Sequence, residues 1–167
     1  MKQFEHVLHT IDRSLRVLLA IMLTLLVVDV TWQVLTRFVL PQPSSFTEEV
    51  ARFLLIWISL LGGAYAYREH SHLGFDLIVR NLSVAKAKIV FQLCCLLVAI
   101  FAITVLIIGG LNLVLLTWTL GQHSAVLNVP MAAVYLVLPL SGLLFLLYSI
   151  YFFFNAPNHS IEQEDII

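Results

Sequence analysis

Four long apolar stretches divide the chain, separated by short segments that hold most of its polar residues. The first begins at Val17, runs almost without a polar residue to Val28, and continues through Asp29, Trp32 and Val34 to Arg37. Stretches of this kind reach or exceed the ~20 residues with which an α-helix crosses ~30 Å of hydrocarbon. The pattern predicts membrane spans over 15–38, 46–68, 87–120 and 131–154. The expected fold class is therefore an all-α integral membrane protein, with four transmembrane helices plus short amphipathic interfacial helices in a single membrane domain over 1–167.

Two shorter segments show helical spacing with only one apolar face. Phe4, Val7, Leu8 and Ile11 recur in 1–14, and Phe75, Ile78, Val79 and Leu82 recur in 74–83, so each reads as an interfacial helix lying along the membrane surface. Pro41-Gln42-Pro43 stops the first span, because proline cannot continue a helix, and Ser45-Phe46-Thr47-Glu48 has the form of a capping box that starts the second. The third span exceeds a perpendicular crossing and must tilt, bend at Gly109-Gly110 or protrude. Pro139 leaves the carbonyl of Tyr135 without its helical donor, which predicts a kink between the two. The tail 155–167 is polar and expected to fray. Lys2, Arg13 and Arg16 precede the first apolar run, as in a leader, but no small-x-small cleavage pattern follows, and an uncleaved first span is expected.

Basic residues set the expected orientation. The N-terminal segment holds Lys2, Arg13 and Arg16, and the 68–88 connection holds Arg68, Arg80, Lys86 and Lys88, whereas the opposite side has Arg37 and Arg52. Positive segments stay inside, so both termini are expected in the cytoplasm and the connections 39–46 and 121–130 outside. Composition agrees with a lipid-facing chain: 60% of residues are hydrophobic, the mean hydropathy is +0.97, and 11% are charged, against ~25% in soluble domains. A net charge of −1 offers no basic field for nucleic acid. Cys94 and Cys95 are neighbours within an apolar run and read as packing residues.

Within so apolar a chain, a charge in a span is the strongest chemical signal. Asp29 shares a helical face with Gln33, Thr36 and Arg37, and such a stripe is expected to face protein, either as a polar anchor to a neighbouring span or as an ion relay. Glu48, Glu49 and Arg52 occupy the first turns of the second span, where Glu48 can pair with Arg52 at i, i+4, and Arg37 is within reach. The four are expected to form a charged cluster that fixes the first helix hairpin or holds a partner, with Glu49 as counter-charge to an arginine. Trp57 reads as an interface or helix contact. The histidines fall in connections and tails, which argues against haem ligation, and no metal, nucleophile-elbow or paired-carboxylate motif is present. No enzyme activity and no cofactor are expected. Ser59 and Gly63, Gly62 and Ala66, and Gly109-Gly110 would permit close helix approach.

An ordered set of residues carries a resemblance to one family. Phe46-Thr47-Glu48-Glu49-Val50-Ala51-Arg52 is followed by Trp57, Leu61-Gly62, Ala64, Arg68 and His72-Leu73-Gly74-Phe75-Asp76. Arg37-Phe38 closes span 1, and Asn128-Val129-Pro130-Met131 leads to Tyr135, Pro139 and Gly142. Across nearly its whole length the chain resembles the DctQ-type small membrane subunit of a TRAP (tripartite ATP-independent periplasmic) transporter; Phe46 stands where that pattern usually has tryptophan. The resemblance implies a scaffold in the bacterial inner membrane beside a large multi-span subunit that carries Na⁺ and substrate, helping to form the periplasmic surface where a soluble binding protein docks, with phospholipids as further partners. It also implies uptake of an organic acid, such as a C4-dicarboxylate or sialic acid, and contact roles for Arg68, His72 and Asp76. The rival reading is a stand-alone proton-coupled four-helix exporter that works through Asp29.

Overall fold

The computed structural model describes residues 2–39, 45–70 and 84–154. The expected interfacial helix 74–83, the Pro41-Gln42-Pro43 stop, His72, Asp76 and the 155–167 tail lie outside the described residues. Helix α1 (Lys2–Val39) is followed by α2 (Ser45–His70), α3 (Val84–Phe101), a π-wound segment (Ala102–Gly109), α4 (Gly110–Thr119), α5 (Met131–Tyr135) and α6 (Val137–Phe154). Four stretches are long and apolar enough to cross a bilayer: Leu8–Val39, Ser45–Glu69, Lys86–Thr119 and Met131–Phe154.

The amphipathic lead-in and the first span are one unbroken helix, where the sequence pattern suggested two elements. Nothing between residues 8 and 39 interrupts the helical ladder, because this stretch contains neither proline nor glycine. Leu8, at the amphipathic end, is buried against Ala64, Phe91, Cys95, Tyr148 and Phe152, so the lead-in packs against the other helices. Its 32-residue apolar stretch measures about 48 Å at ~1.5 Å per residue, well beyond ~30 Å of hydrocarbon.

Helix α1 packs along α2, and α6 is the central element, meeting α2 on one side and α3 with the π-wound segment on the other. A second apolar core joins Leu15, Leu61 and Val137, flanked by Trp57, Leu60 and Leu144. Most large apolar side chains nevertheless point outward, among them Val17, Ile21, Leu25, Val28 and Trp32 along α1. A lipid tail is as apolar as leucine, so hiding these groups brings no gain, and backbone proximity and hydrogen bonds must hold the helices together. Outward threonines satisfy themselves within their own helix: Thr24, Thr31 and Thr104 each donate to the carbonyl four residues earlier, at 2.8, 2.7 and 2.8 Å.

Spans 3 and 4 approach each other closely at two glycines. A Cβ on Gly110 would sit 2.8 Å from Leu138 Cβ and 3.0 Å from Pro139 Cδ. One on Gly142 would sit 2.8 Å from both Leu106 Cβ and Ile107 Cγ1. The π-wound segment is the part of span 3 that meets Gly142, and it ends at Gly109, at the glycine pair where a bend was one of three ways to fit so long a span. Span 4 is interrupted at Leu136, between Tyr135 and Pro139 as expected, since Pro139 has no N–H to offer the Tyr135 carbonyl.

Candidate functional site

The polar side chains gather at the two ends of the bundle. At one end, antiparallel pairing in the α1–α2 hairpin brings Asp12 and Arg16, one helical turn apart, beside Arg68 and Glu69 on the last turns of α2. The signs are complementary. Arg68 Nε donates to Asp12 Oδ2 at 3.2 Å, with side-chain exposures of 23% and 14%. The other carboxylate oxygen, Oδ1, accepts the hydroxyl of the fully buried Tyr148 of α6 at 2.7 Å. One carboxylate thus ties three spans. The Arg68 guanidinium also lies over the rings of Tyr151 at 4.6 Å and Phe152 at 5.5 Å, a geometry that favours a cation.

Outside this staple lies a looser one. Arg16 Nε donates to the Tyr65 hydroxyl at 2.9 Å, that hydroxyl donates to Glu69 Oε1 at 2.8 Å, and Arg16 Nη2 reaches the same carboxylate at 3.4 Å. His9, Asp12, Arg13, Arg16, Arg68 and Glu69 line an open cleft of about 490 Å³ here. Among the described residues of this end, sequence reasoning singled out Arg68; His72 and Asp76, named with it, lie outside them. It read 1–14 as a surface helix with one apolar face, which leaves Asp12 on the polar side, and counted Arg16 only towards orientation. The signal available was one acid and one arginine at the start of span 1, Asp12 and Arg16, and one of each at the end of span 2, Arg68 and Glu69, two ends that a helix hairpin brings together.

At the opposite end the expected four-residue cluster divides. Glu48 and Arg52 pair across one turn at 3.2 Å, both 63% exposed, a surface pair of little weight in holding helices together. Arg37 is exposed and takes no part in the ion pairs found among the described residues. Glu49 is buried and does not serve an arginine: its Oε2 accepts the backbone amides of Val126 at 3.1 Å and Leu127 at 2.7 Å. The expected counter-charge role is therefore replaced by that of a loop acceptor. A carboxylate accepting two amides is a charge-assisted contact, and it fastens the 121–130 connection to the first turns of α2.

That connection is itself closely bonded. Ser124 N–H donates to Val129 O at 2.9 Å, Val129 N–H to Ser124 Oγ at 3.1 Å, and Met131 N–H to Gln122 O at 2.9 Å. Asn128 holds a left-handed φ of 55°, a conformation asparagine tolerates better than most residues, and Gly121 one of 59°. Nearer mid-membrane, the Trp57 indole donates to the Val134 carbonyl at 3.1 Å, in the turn where span 4 is interrupted. Trp57 therefore fastens span 2 to span 4 at the kink.

Asp29 shares its face with the buried Thr36, but Thr36 donates within its own helix, to Gln33 O at 2.9 Å. The Asp29 Oδ2 is buried and meets no hydrogen-bond partner among the described residues, so the anchor expected there is not formed with them. No three His, Cys, Asp or Glu side chains come together as a metal site among the described residues.

A family model for the DctQ component of tripartite ATP-independent periplasmic transporters matches residues 12–157. The sialic acid TRAP transporter small permease protein SiaQ of Vibrio cholerae is 34% identical over 109 residues, covering 64% of this chain and 61% of that one. A putative TRAP transporter small permease protein of Haemophilus influenzae is 32% identical over 74 residues, 44% of this chain and 46% of its own. The isethionate TRAP transporter permease protein DctMQ of Oleidesulfovibrio alaskensis is 36% identical over 96 residues, which are 58% of this chain but 15% of the relative. The matched stretches thus span about half of the two small permeases and a minor part of DctMQ.

Proposed function

This chain belongs to the DctQ family of tripartite ATP-independent periplasmic transporters, a multi-pass membrane protein of the small-permease type, and on that premise we propose that it scaffolds a larger transport subunit. In this reading the large subunit carries Na⁺ and substrate, and this chain stands fixed beside it in the inner membrane while the carrier moves. The observation that carries the reading is where the polar groups go. Asp12, Arg68 and Tyr148 at one end, Trp57 at the kink and Glu49 at the other end all tie this chain's own segments together. A stationary partner needs that internal fastening, and its outward apolar faces can then meet lipid and a second membrane subunit. DctMQ, whose matched region is a minor part of a longer permease, supports the pairing of the two kinds of subunit.

The substrate belongs to the organic acids. Relatives are named for sialic acid, a carboxylate, and for isethionate, a sulfonate, so an anionic group is what their substrates share. Which acid is taken up is a property of the large subunit and of a soluble periplasmic binding protein. Both termini lie in the cytoplasm, which puts the Asp12–Arg68 end inside and the 121–130 loop outside, facing that binding protein.

Orientation and role are tested together. A reporter fused at Ser160 should be active only in its cytoplasmic form. Cells holding the large subunit and binding protein should lose uptake when this chain is deleted and regain it on complementation, and the two membrane subunits should co-purify. Uptake undiminished by the deletion would overturn the scaffold role.

A further inference from the structure

The 121–130 loop combines two properties that seldom meet in a connection between spans. Its surface is open, with Gln122, His123, Ala125, Val126 and Asn128 exposed, yet its backbone is fixed. The fixing comes partly from within, through Ser124 and the Met131–Gln122 bond, and partly from Glu49, a buried carboxylate on a different span. Glu49 Oε2 accepts Leu127 N–H at 2.7 Å and Val126 N–H at 3.1 Å, so the tip of the loop can move only if span 2 moves or the contact breaks. Joining spans 3 and 4 requires no such latch. Loop ordering lowers the affinity of any complex formed with the loop, and a loop already held in one shape avoids that loss.

We propose that Glu49 is a positioning residue for docking of the soluble substrate-binding protein: by holding the amides of Val126 and Leu127 it presets the 121–130 loop as part of the surface that this protein meets. This rests on the scaffold reading above and adds to it the side chain that sets the loop. Glu49 touches neither substrate nor ion. Its effect is on the fraction of molecules whose loop is ready to receive the binding protein, and apparent affinity falls in proportion to that fraction.

The test uses the complex of both membrane subunits in proteoliposomes, with uptake measured against the concentration of substrate-loaded binding protein. Glu49→Ala should raise the half-saturating concentration roughly tenfold, as for a loop competent in about a tenth of molecules, and leave the maximal rate unchanged. Glu49→Gln, whose amide oxygen still accepts the loop N–H groups, should recover most of the loss. A merely structural role would lower the maximal rate or the yield of co-purified complex and leave half-saturation alone, and that result would overturn the proposal. Because Glu49→Ala could also weaken folding, Ala125→Arg serves as the second variant: it alters the exposed loop surface and leaves the latch in place. Raised half-saturation for both alanine and arginine variants supports the proposal. A shift for Ala125→Arg alone leaves the loop as docking surface and removes Glu49 from it. No shift for either, while the wild-type complex still depends on the binding protein, removes the loop from docking. Wild-type uptake independent of the binding protein would overturn the underlying scaffold reading itself.

Discussion

Asp12→Ala should be among the most damaging single changes in this chain, although Asp12 lies in a segment that reads from sequence as an amphipathic surface helix. Its carboxylate serves Arg68 at 3.2 Å and Tyr148 at 2.7 Å at once. Removing one partner of a dry ion pair costs ~3–5 kcal/mol; with Arg68 23% exposed and seated over the Tyr151 ring, water and the ring offset part, leaving about 2–3 kcal/mol. Tyr148 is wholly buried, so its stranded hydroxyl adds about 1–2 kcal/mol, for a total of about 3–5 kcal/mol. Tyr148→Phe alone leaves the carboxylate paired with Arg68 and should cost about 1 kcal/mol. The double variant should be less damaging than the sum of the singles by about 1–2 kcal/mol, since no hydroxyl remains to be stranded. The assay is equilibrium unfolding in mixed micelles with increasing denaturing detergent, followed by tryptophan fluorescence; Trp57 reports contact between spans 2 and 4. A loss under about 1 kcal/mol for Asp12→Ala, or strict additivity in the double variant, would refute the three-span staple.

Other contacts give sharper yes-or-no outcomes. Gly142→Leu should separate spans 3 and 4, because even a Cβ there meets Leu106 and Ile107 at 2.8 Å; a cost of about 1–3 kcal/mol or more is expected in the same unfolding assay, and a neutral result would deny the close crossing. Trp57→Phe keeps the ring but loses the indole N–H to Val134 O, so about 1 kcal/mol of stability should go; an unchanged midpoint would show the bond to be immaterial. Asp29→Leu should be at least as stable as wild type, since it removes a buried oxygen that has no partner among the described residues, and clear destabilisation would point to a donor outside them. If Asp29 were an ion relay, this variant would abolish uptake in an intact complex; uptake should instead persist.

Of the predicted contacts, those that sequence reasoning described well are governed by local chemistry. Glu48 and Arg52 pair because residues four apart on a helix are neighbours, and span 4 breaks before Pro139 because proline lacks an N–H. Glu49 differs: one position along, it faces a different neighbour, and its partners are main-chain amides more than seventy positions away, which bear no side-chain signature. Gly142 stood out only through resemblance; its physical reason is the passage of Leu106 and Ile107 alongside it.

What the sequence by itself determined is the class of molecule: four helices long and apolar enough to cross a membrane, a break in the last of them and membership of a transporter family, all of which follow from hydrophobic length, proline and an ordered motif. What only the tertiary structure decided is which polar groups meet. In a membrane the apolar surface of a helix is equally content against lipid or protein, so hydropathy states that a helix crosses but not which face it turns to its neighbours. That choice fell to a few long-range contacts, Asp12 with Arg68 and Tyr148, Trp57 with Val134, Glu49 with the 121–130 loop and Gly110 with Leu138, and each exists only once the helices are already side by side.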